Sequence, residues 1–88
     1  MKAVRVLVSG GVQGVGFRFA LQHEADRLGV GGWARNLADG RVEALFEGEP
    51  GAVAAAVEFA GRGPDSARVD SLAASDVEAE GLAGFRIR

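Results

Sequence analysis

A glycine-rich segment near the N-terminus separates two different hydrophobic periodicities. Before it, valines recur at every second residue over positions 4–8, which is typical of a β-strand. After it, apolar residues recur at helical spacing from Phe17 to Leu28, and Gly29 follows as a natural helix terminator. A chain with this pattern must change from strand to helix through a short turn that depends on glycine.

The segment over residues 10–16 is predicted to be a loop, and it places Arg18 at the start of the following helix. N–H groups at a helix start lack intrahelical partners and carry the positive end of the helix dipole, so this position favours an anion. The segment lacks the Gly-Lys-Ser/Thr of a nucleotide P-loop and the spacing of a dinucleotide fingerprint. From these residues, a simple strand-to-helix turn and a phosphate-binding loop both stay open.

The remaining periodicities give the element order β-α-β-β-α-β, followed by a short last strand. After the first helix, strands are predicted at residues 32–36 and 41–47, a helix from Pro50 to a stop at Gly61, Gly63 and Pro64, and strands at 67–73 and 85–87. This order predicts a ferredoxin-like α+β sandwich, an antiparallel sheet with two helices on one face, as a single domain over residues 1–88. Strands one and three should be central, which brings the first loop close to the end of strand two.

Composition removes several classes of function. The chain has no cysteine, which excludes disulfides, zinc–thiolate sites and cysteine nucleophiles. A net charge of −2 disfavours a nucleic-acid partner. No apolar stretch approaches the ~20 residues of a membrane span, and no signal peptide is visible. We expect a cytoplasmic protein with no membrane partner.

Few other side chains can carry chemistry. Asn36 ends the second strand, where it is either a turn residue or an amide presented to water or substrate. His23 lies about 140° around the helix from Arg18, so it is predicted to be a surface residue. Glu43 and Glu47 follow no metal-ligand pattern. The chain therefore offers no evident nucleophile, general base or metal cage.

This shortage points to an activated substrate. Phosphate monoesters hydrolyse very slowly and generally need a metal or a nucleophile. A carboxyl-phosphate anhydride releases a carboxylate of pKa about 4, so no general acid is required. Charge stabilisation and a positioned water suffice for such a substrate.

Two longer motifs resemble the acylphosphatase family. They are Val8-x-Gly10-x-Val12-Gln13-Gly14-Val15-x-Phe17-Arg18 and Gly32-Trp33-Ala34-Arg35-Asn36. The similarity continues through Gly40-x-Val42, Gly48, Gly63-Pro64, Ala67-x-Val69 and Phe85-x-Ile87, and so spans nearly the whole chain. It implies the ferredoxin-like fold and the hydrolysis of acyl phosphates to a carboxylate and inorganic phosphate, with no metal and no other cofactor.

The resemblance also implies a role for individual residues. Arg18 would bind the phosphoryl group, and Asn36 would orient the attacking water, whose proton passes to a phosphate oxygen. The backbone amides of the loop would complete the phosphate site; its residues are Gly11, Val12, Gln13, Gly14, Val15, Gly16 and Phe17. One departure is Gly11, a position that often carries a basic or larger side chain in the family. The absence of such a side chain is expected to weaken phosphate binding or alter loop mobility.

The expected partners are a small-molecule acyl phosphate and inorganic phosphate, the latter as product and inhibitor. A small acidic domain without an evident apolar patch is expected to be a monomer. Two alternatives stay open: a non-catalytic ferredoxin-like module that binds phosphate or another ligand, and a domain of a larger carbamoyl-phosphate-handling protein. The length of 88 residues favours the stand-alone enzyme.

Overall fold

Five strands and two helices make up the fold, which a computed structural model describes for all of residues 1–88. The elements are β1 (Lys2–Gly11), α1 (Phe17–Leu28), β2 (Gly31–Asn36), β3 (Val42–Gly48), α2 (Pro50–Arg62), β4 (Arg68–Asp76) and β5 (Phe85–Ile87). The strands form one sheet in the order β4-β1-β3-β2-β5, with both helices packed on one face. The ferredoxin-like α+β prediction is confirmed. Neither helix has the length and apolarity needed to cross a membrane.

The pairing of β3 with both β1 and β2 determines which ends of the strands meet. β3 runs antiparallel to each of them, and Val42 pairs with Val8 on one side and with Asn36 on the other. β1 and β2 are therefore parallel to each other, and their C-terminal ends lie at the same end of the sheet. The predicted proximity of the first loop to the end of strand two is confirmed.

Three details differ from the sequence prediction. The sheet is mixed, because β5 pairs with β2 in parallel after residues 77–84 cross from one sheet edge to the other. β4 continues to Asp76, three residues past its predicted end at residue 73, since β1 supplies hydrogen-bonding partners along that length. β1 itself includes Gly10 and Gly11, which pair with β4 beyond a bulge at Ser9/Gly10, so the loop begins only at residue 12.

The core lies between the sheet and the helices. Each helix presents a stripe of buried residues: Phe17, Leu21 and Ala25 from α1, and Val53, Ala56 and Ala60 from α2. They meet the helix-facing residues of the central strands, which are Val4, Val6, Val8, Val42, Ala44 and Phe46. Full burial of a side chain such as phenylalanine or leucine stabilises the fold by about 1.5–3 kcal/mol. Packing of Phe17 therefore fixes the start of α1 directly after the loop.

Glu47 holds residues 80–82, which cross the open face of the sheet, the face opposite the two helices. Its carboxylate is buried and accepts hydrogen bonds from the backbone N–H groups of Glu80, Gly81 and Leu82, at 2.7, 3.0 and 3.1 Å. Three N–H donors satisfy a buried carboxylate that has no cationic partner. This contact delivers the chain to β5 on the far edge of the sheet.

Glu43 is the second buried carboxylate of the open face. Its two oxygens accept hydrogen bonds from Arg5 and from Arg35, the latter at 2.6 Å, while both guanidinium groups stay in contact with water. Burial raises the pKa of Glu43, but the hydrogen bonds and charges of Arg35 and Arg5 outweigh it, so the pKa lies below its ordinary value near 4.5. Glu43 is thus ionised in the folded protein at neutral pH.

Replacing Glu43 should reveal an acid-sensitive contribution to stability. A carboxyl with a depressed folded pKa stabilises fully above its unfolded pKa and loses this effect as pH falls through the folded pKa. We expect Glu43→Gln to lower the free energy of unfolding by about 1–3 kcal/mol at pH 7, with a smaller difference below about pH 4.5. Urea unfolding at pH 7 and pH 3 measures both values. The exposed Glu58→Gln is the control, and an equal cost of Glu43→Gln at both pH values would contradict the assignment.

A second stability prediction concerns Gly32 in β2. Its φ is +142°, and a Cβ there would overlap the carbonyl oxygen of Leu45 in β3. We expect Gly32→Ala to lower the free energy of unfolding by more than about 2 kcal/mol. The matched substitution Gly61→Ala lies in α2, where the new Cβ would meet a methyl group of Leu72 at 3.7 Å. It should stabilise by up to about 1 kcal/mol. Urea unfolding of the two variants should give opposite signs.

Candidate active site

The loop between β1 and α1 has backbone N–H groups without partners. From Val12 to Gly16, no N–H donates to an acceptor within the chain. The φ angle is +75° at Gly14 and +78° at Gly16, while Val15 between them has a negative φ. Alternation of this kind turns successive N–H groups toward one side and forms an anion-binding concavity. A Cβ would have open space at both glycines, so their φ angles rather than crowding require glycine there.

The start of α1 adds further donors to the loop. The first-turn N–H groups of Phe17, Arg18 and Phe19 have no intrahelical acceptor, because an α-helical N–H reaches the residue four positions earlier. The N-cap residue is Gly16, which supplies no side-chain acceptor, and the first turn contains no acidic residue. The positive end of the helix dipole is therefore uncompensated by the protein at this point.

Arg18 stands beside the loop on the first turn of α1. Its Nη1 donates to the main-chain oxygen of Arg88 at 2.9 Å. A guanidinium has five N–H donors, so this bond orients the group and leaves donors for an anion. The guanidinium of Arg88 in turn lies 4.5 Å above the ring of Trp33 in β2. Arg18 is thus held toward the C-terminal ends of β2 and β5.

Asn36 occupies the last position of β2 and is exposed. Its strand pairs with β3 through Val42, the residue that also pairs with the end of β1. Its amide makes no hydrogen bond to another side chain or to the backbone. The amide is therefore free to bind water at the end of the sheet where the loop lies.

The side chain of Gln13 ties the loop to the hairpin that follows Asn36. Its Nε2 donates to the carbonyl oxygens of Leu37 and Arg41, at 2.8 and 3.0 Å. The hairpin is itself closed by the Leu37 N–H, which donates to the Arg41 oxygen at 2.8 Å. One amide thereby fixes the loop relative to the end of β2.

A cationic group lies beside Gly11. Arg68 pairs with Gly11 across β1 and β4, and its Nη1 lies 3.4 Å from the position that a Cβ at residue 11 would take. Arg68 also binds Asp70, and the hydrogen bond between them lowers the pKa of Asp70. A guanidinium from the opposite strand, paired with Asp70, therefore lies beside position 11.

The structure brings together the segment of residues 11–17, Arg18 and Asn36 at one end of the strands, and it leaves His23 exposed on the helix. Sequence reasoning missed three contacts of this region: the Gln13 side chain, the Arg88 oxygen, and Ser66, whose hydroxyl donates to the Val15 oxygen at 2.8 Å. Each contact joins residues more than 20 positions apart. Local periodicity carries no signal for such pairs.

Comparison with known proteins agrees with this geometry. The family model described as Acylphosphatase matches residues 4–87. The chain belongs to the acylphosphatase family. An acylphosphatase of Rubrobacter xylanophilus is 54% identical over 88 residues, covering 99% of this chain and 80% of the relative. An acylphosphatase of Thermococcus kodakarensis is 49% identical, covering 99% of this chain and 98% of the relative.

A solved acylphosphatase has the same fold over its full length. The crystal structure of acylphosphatase from Bacillus subtilis superposes with a TM-score of 0.95 at 39% identity, covering 100% of this chain and 99% of that one. Family membership, the coverage of the relatives and the fold together favour an acyl-phosphate hydrolase over a non-catalytic module. The resemblance drawn from the two sequence motifs is confirmed.

Proposed function

We propose that this acylphosphatase binds the phosphoryl group of an acyl phosphate in the segment of residues 11–17, which we call the phosphate loop, and directs a water to it. The observation that carries the proposal is the run of unpartnered N–H groups from Val12 to Gly16, continued by the helix start that bears Arg18. These donors suit an anion with several oxygens, as a phosphoryl group is.

In this mechanism the loop and Arg18 stabilise negative charge on the phosphoryl oxygens. A guanidinium matches two such oxygens at once, and peptide N–H groups held by the fold need no reorganisation during the reaction. The hydrogen bond from Arg18 to the Arg88 oxygen sets the direction of the guanidinium before substrate arrives. Much of the rate enhancement therefore comes from charges and dipoles already in place.

Asn36 is assigned to the attacking water. Its amide offers both a donor and an acceptor, so it can hold a water in one orientation, but it does not titrate and cannot act as a base. The proton of the water passes to a phosphoryl oxygen as the bond between phosphorus and the carboxylate oxygen breaks. The products are a carboxylate and inorganic phosphate, and no protein side chain gains or loses a proton.

The same groups bind the product. Inorganic phosphate carries the oxygens that the loop recognises, so it is expected to inhibit in competition with substrate. In this proposal the loop, Arg18 and Asn36 act on the phosphoryl end and its water, and none of them selects the acyl part. We therefore propose a broad range of acyl phosphates. We also propose that this small acidic domain is a monomer and that it acts in the cytoplasm.

Arg18→Gln should weaken both binding and catalysis. Loss of a charge-assisted contact costs about 1.5–3 kcal/mol, which predicts a fall in kcat/KM of roughly 10- to 150-fold. The control is Arg27→Gln at the other end of α1, where the arginine binds Glu24. Hydrolysis of benzoyl phosphate, followed by its ultraviolet absorbance, measures both variants. Unchanged kcat/KM in Arg18→Gln would remove the assigned role.

Asn36→Ala should act mainly on kcat. Removing a group that positions the nucleophile is expected to lower kcat about 100-fold, whereas phosphate binding should change little. Calorimetric titration with inorganic phosphate provides the second measurement. A variant that loses phosphate affinity and keeps kcat would show that Asn36 binds the phosphoryl group instead.

The wild-type assay is run with EDTA present. Rapid turnover in EDTA supports metal-independent hydrolysis, and inhibition by added phosphate supports binding of the product at the same site. Absence of turnover by the folded wild type, with phosphate still bound, would favour the binding module.

A further inference from the structure

Ser66 supports the phosphate loop from outside. Its hydroxyl donates to the carbonyl oxygen of Val15 at 2.8 Å, although the two residues are 51 positions apart. Ser66 lies between α2 and β4 and is exposed. It is the one side chain outside the loop that forms a hydrogen bond with the backbone of residues 12–17.

The hydrogen bond fixes the orientation of one peptide unit. The chain contains no cis peptide bond, so the carbonyl of Val15 and the N–H of Gly16 point in opposite directions. Ser66 holds the carbonyl on the side of the α2–β4 connection. The Gly16 N–H is thereby directed away from Ser66, to the side where the alternating φ angles gather the loop donors.

Glycine at position 16 makes this peptide easy to reverse. A flip of the 15–16 peptide changes ψ of Val15 and φ of Gly16, and glycine accepts either sign of φ. The reversed peptide would replace an N–H donor with a carbonyl oxygen, which repels an anion. The loop therefore needs a contact that selects one orientation, and Ser66 provides it.

The segment that carries Ser66 is held by contacts on both sides. The N–H of Ala67 donates to the oxygen of Pro64 at 3.0 Å, which closes a turn around Ser66. Gly63, just before this turn, packs so close to Phe17 that a Cβ would lie 3.1 Å from its ring. Ala67 on the other side packs against the core. The α2–β4 connection thus contacts both the loop and the first residue of α1.

We propose that Ser66 is a positioning residue for the phosphoryl group, acting through the Val15–Gly16 peptide without touching substrate. The inference rests on the proposed function of the loop. Removal of the hydroxyl populates the reversed peptide and so weakens the binding of every ligand that accepts a hydrogen bond from the Gly16 N–H. Both substrate and inorganic phosphate belong to that group.

The test compares Ser66→Ala, Ser66→Thr and the control Ser71→Ala. Ser71 is also exposed, lies in β4 and makes no side-chain hydrogen bond. We expect Ser66→Ala to weaken inorganic phosphate binding about 2- to 10-fold and to lower kcat/KM by a similar factor, the range that a neutral hydrogen bond allows. Ser66→Thr keeps the hydroxyl and should stay within about twofold of wild type. The melting temperatures of the two alanine variants should be alike.

A spectroscopic measurement reports the peptide directly. Phosphate added to the wild type should move the amide proton resonance of Gly16 downfield, and the shift should be reduced in Ser66→Ala. Equal phosphate affinity in Ser66→Ala and wild type, or failure of threonine to restore it, would overturn the role of the hydroxyl. Either result would leave the proposed function intact if the wild type hydrolyses benzoyl phosphate. A wild type that neither binds phosphate nor turns over would instead remove the proposed function.

Discussion

The antiparallel pairing of β1 with β3 is the contact on which the other elements depend. These two strands carry the valines, alanine and phenylalanine that face both helices, and each has a further strand on its outer side. Because β2 is attached to β3, the end of β2 stands two strand spacings, roughly 10 Å, from the end of β1. Main-chain hydrogen bonds therefore set the separation between the phosphate loop and Asn36.

Sequence reasoning succeeds here where the information is local. The change from period two to helical spacing locates β1 and α1. The bounds of α1 agree with the structure because the helix lies between Gly16 at its N-cap and Gly29, whose left-handed conformation ends it. The proximity of the loop to Asn36 was also predictable, since it follows from the order of strands once the fold class is given. The two motifs identified the family because their spacing covers both sides of the site.

The details that sequence reasoning missed depend on contacts between distant residues. Glu43 and Glu47 alternate with apolar residues as solvent-facing carboxylates would, yet arginines from two strands cover the first and a crossing segment covers the second. The parallel β5 follows from that crossing, which no periodicity marks. The Gln13 and Ser66 contacts likewise depend on where a hairpin and a turn lie in three dimensions. Such features require the fold to be known first.

The groups gathered around the phosphate loop share a chemical property. Peptide N–H groups and the carboxamide of Asn36 do not ionise in water near neutrality. In the proposed mechanism these groups bind and orient the substrate and exchange no proton with it. In the proposed mechanism the only proton that moves passes from water to the phosphoryl group, so the acid–base chemistry of this proposal belongs to the substrate.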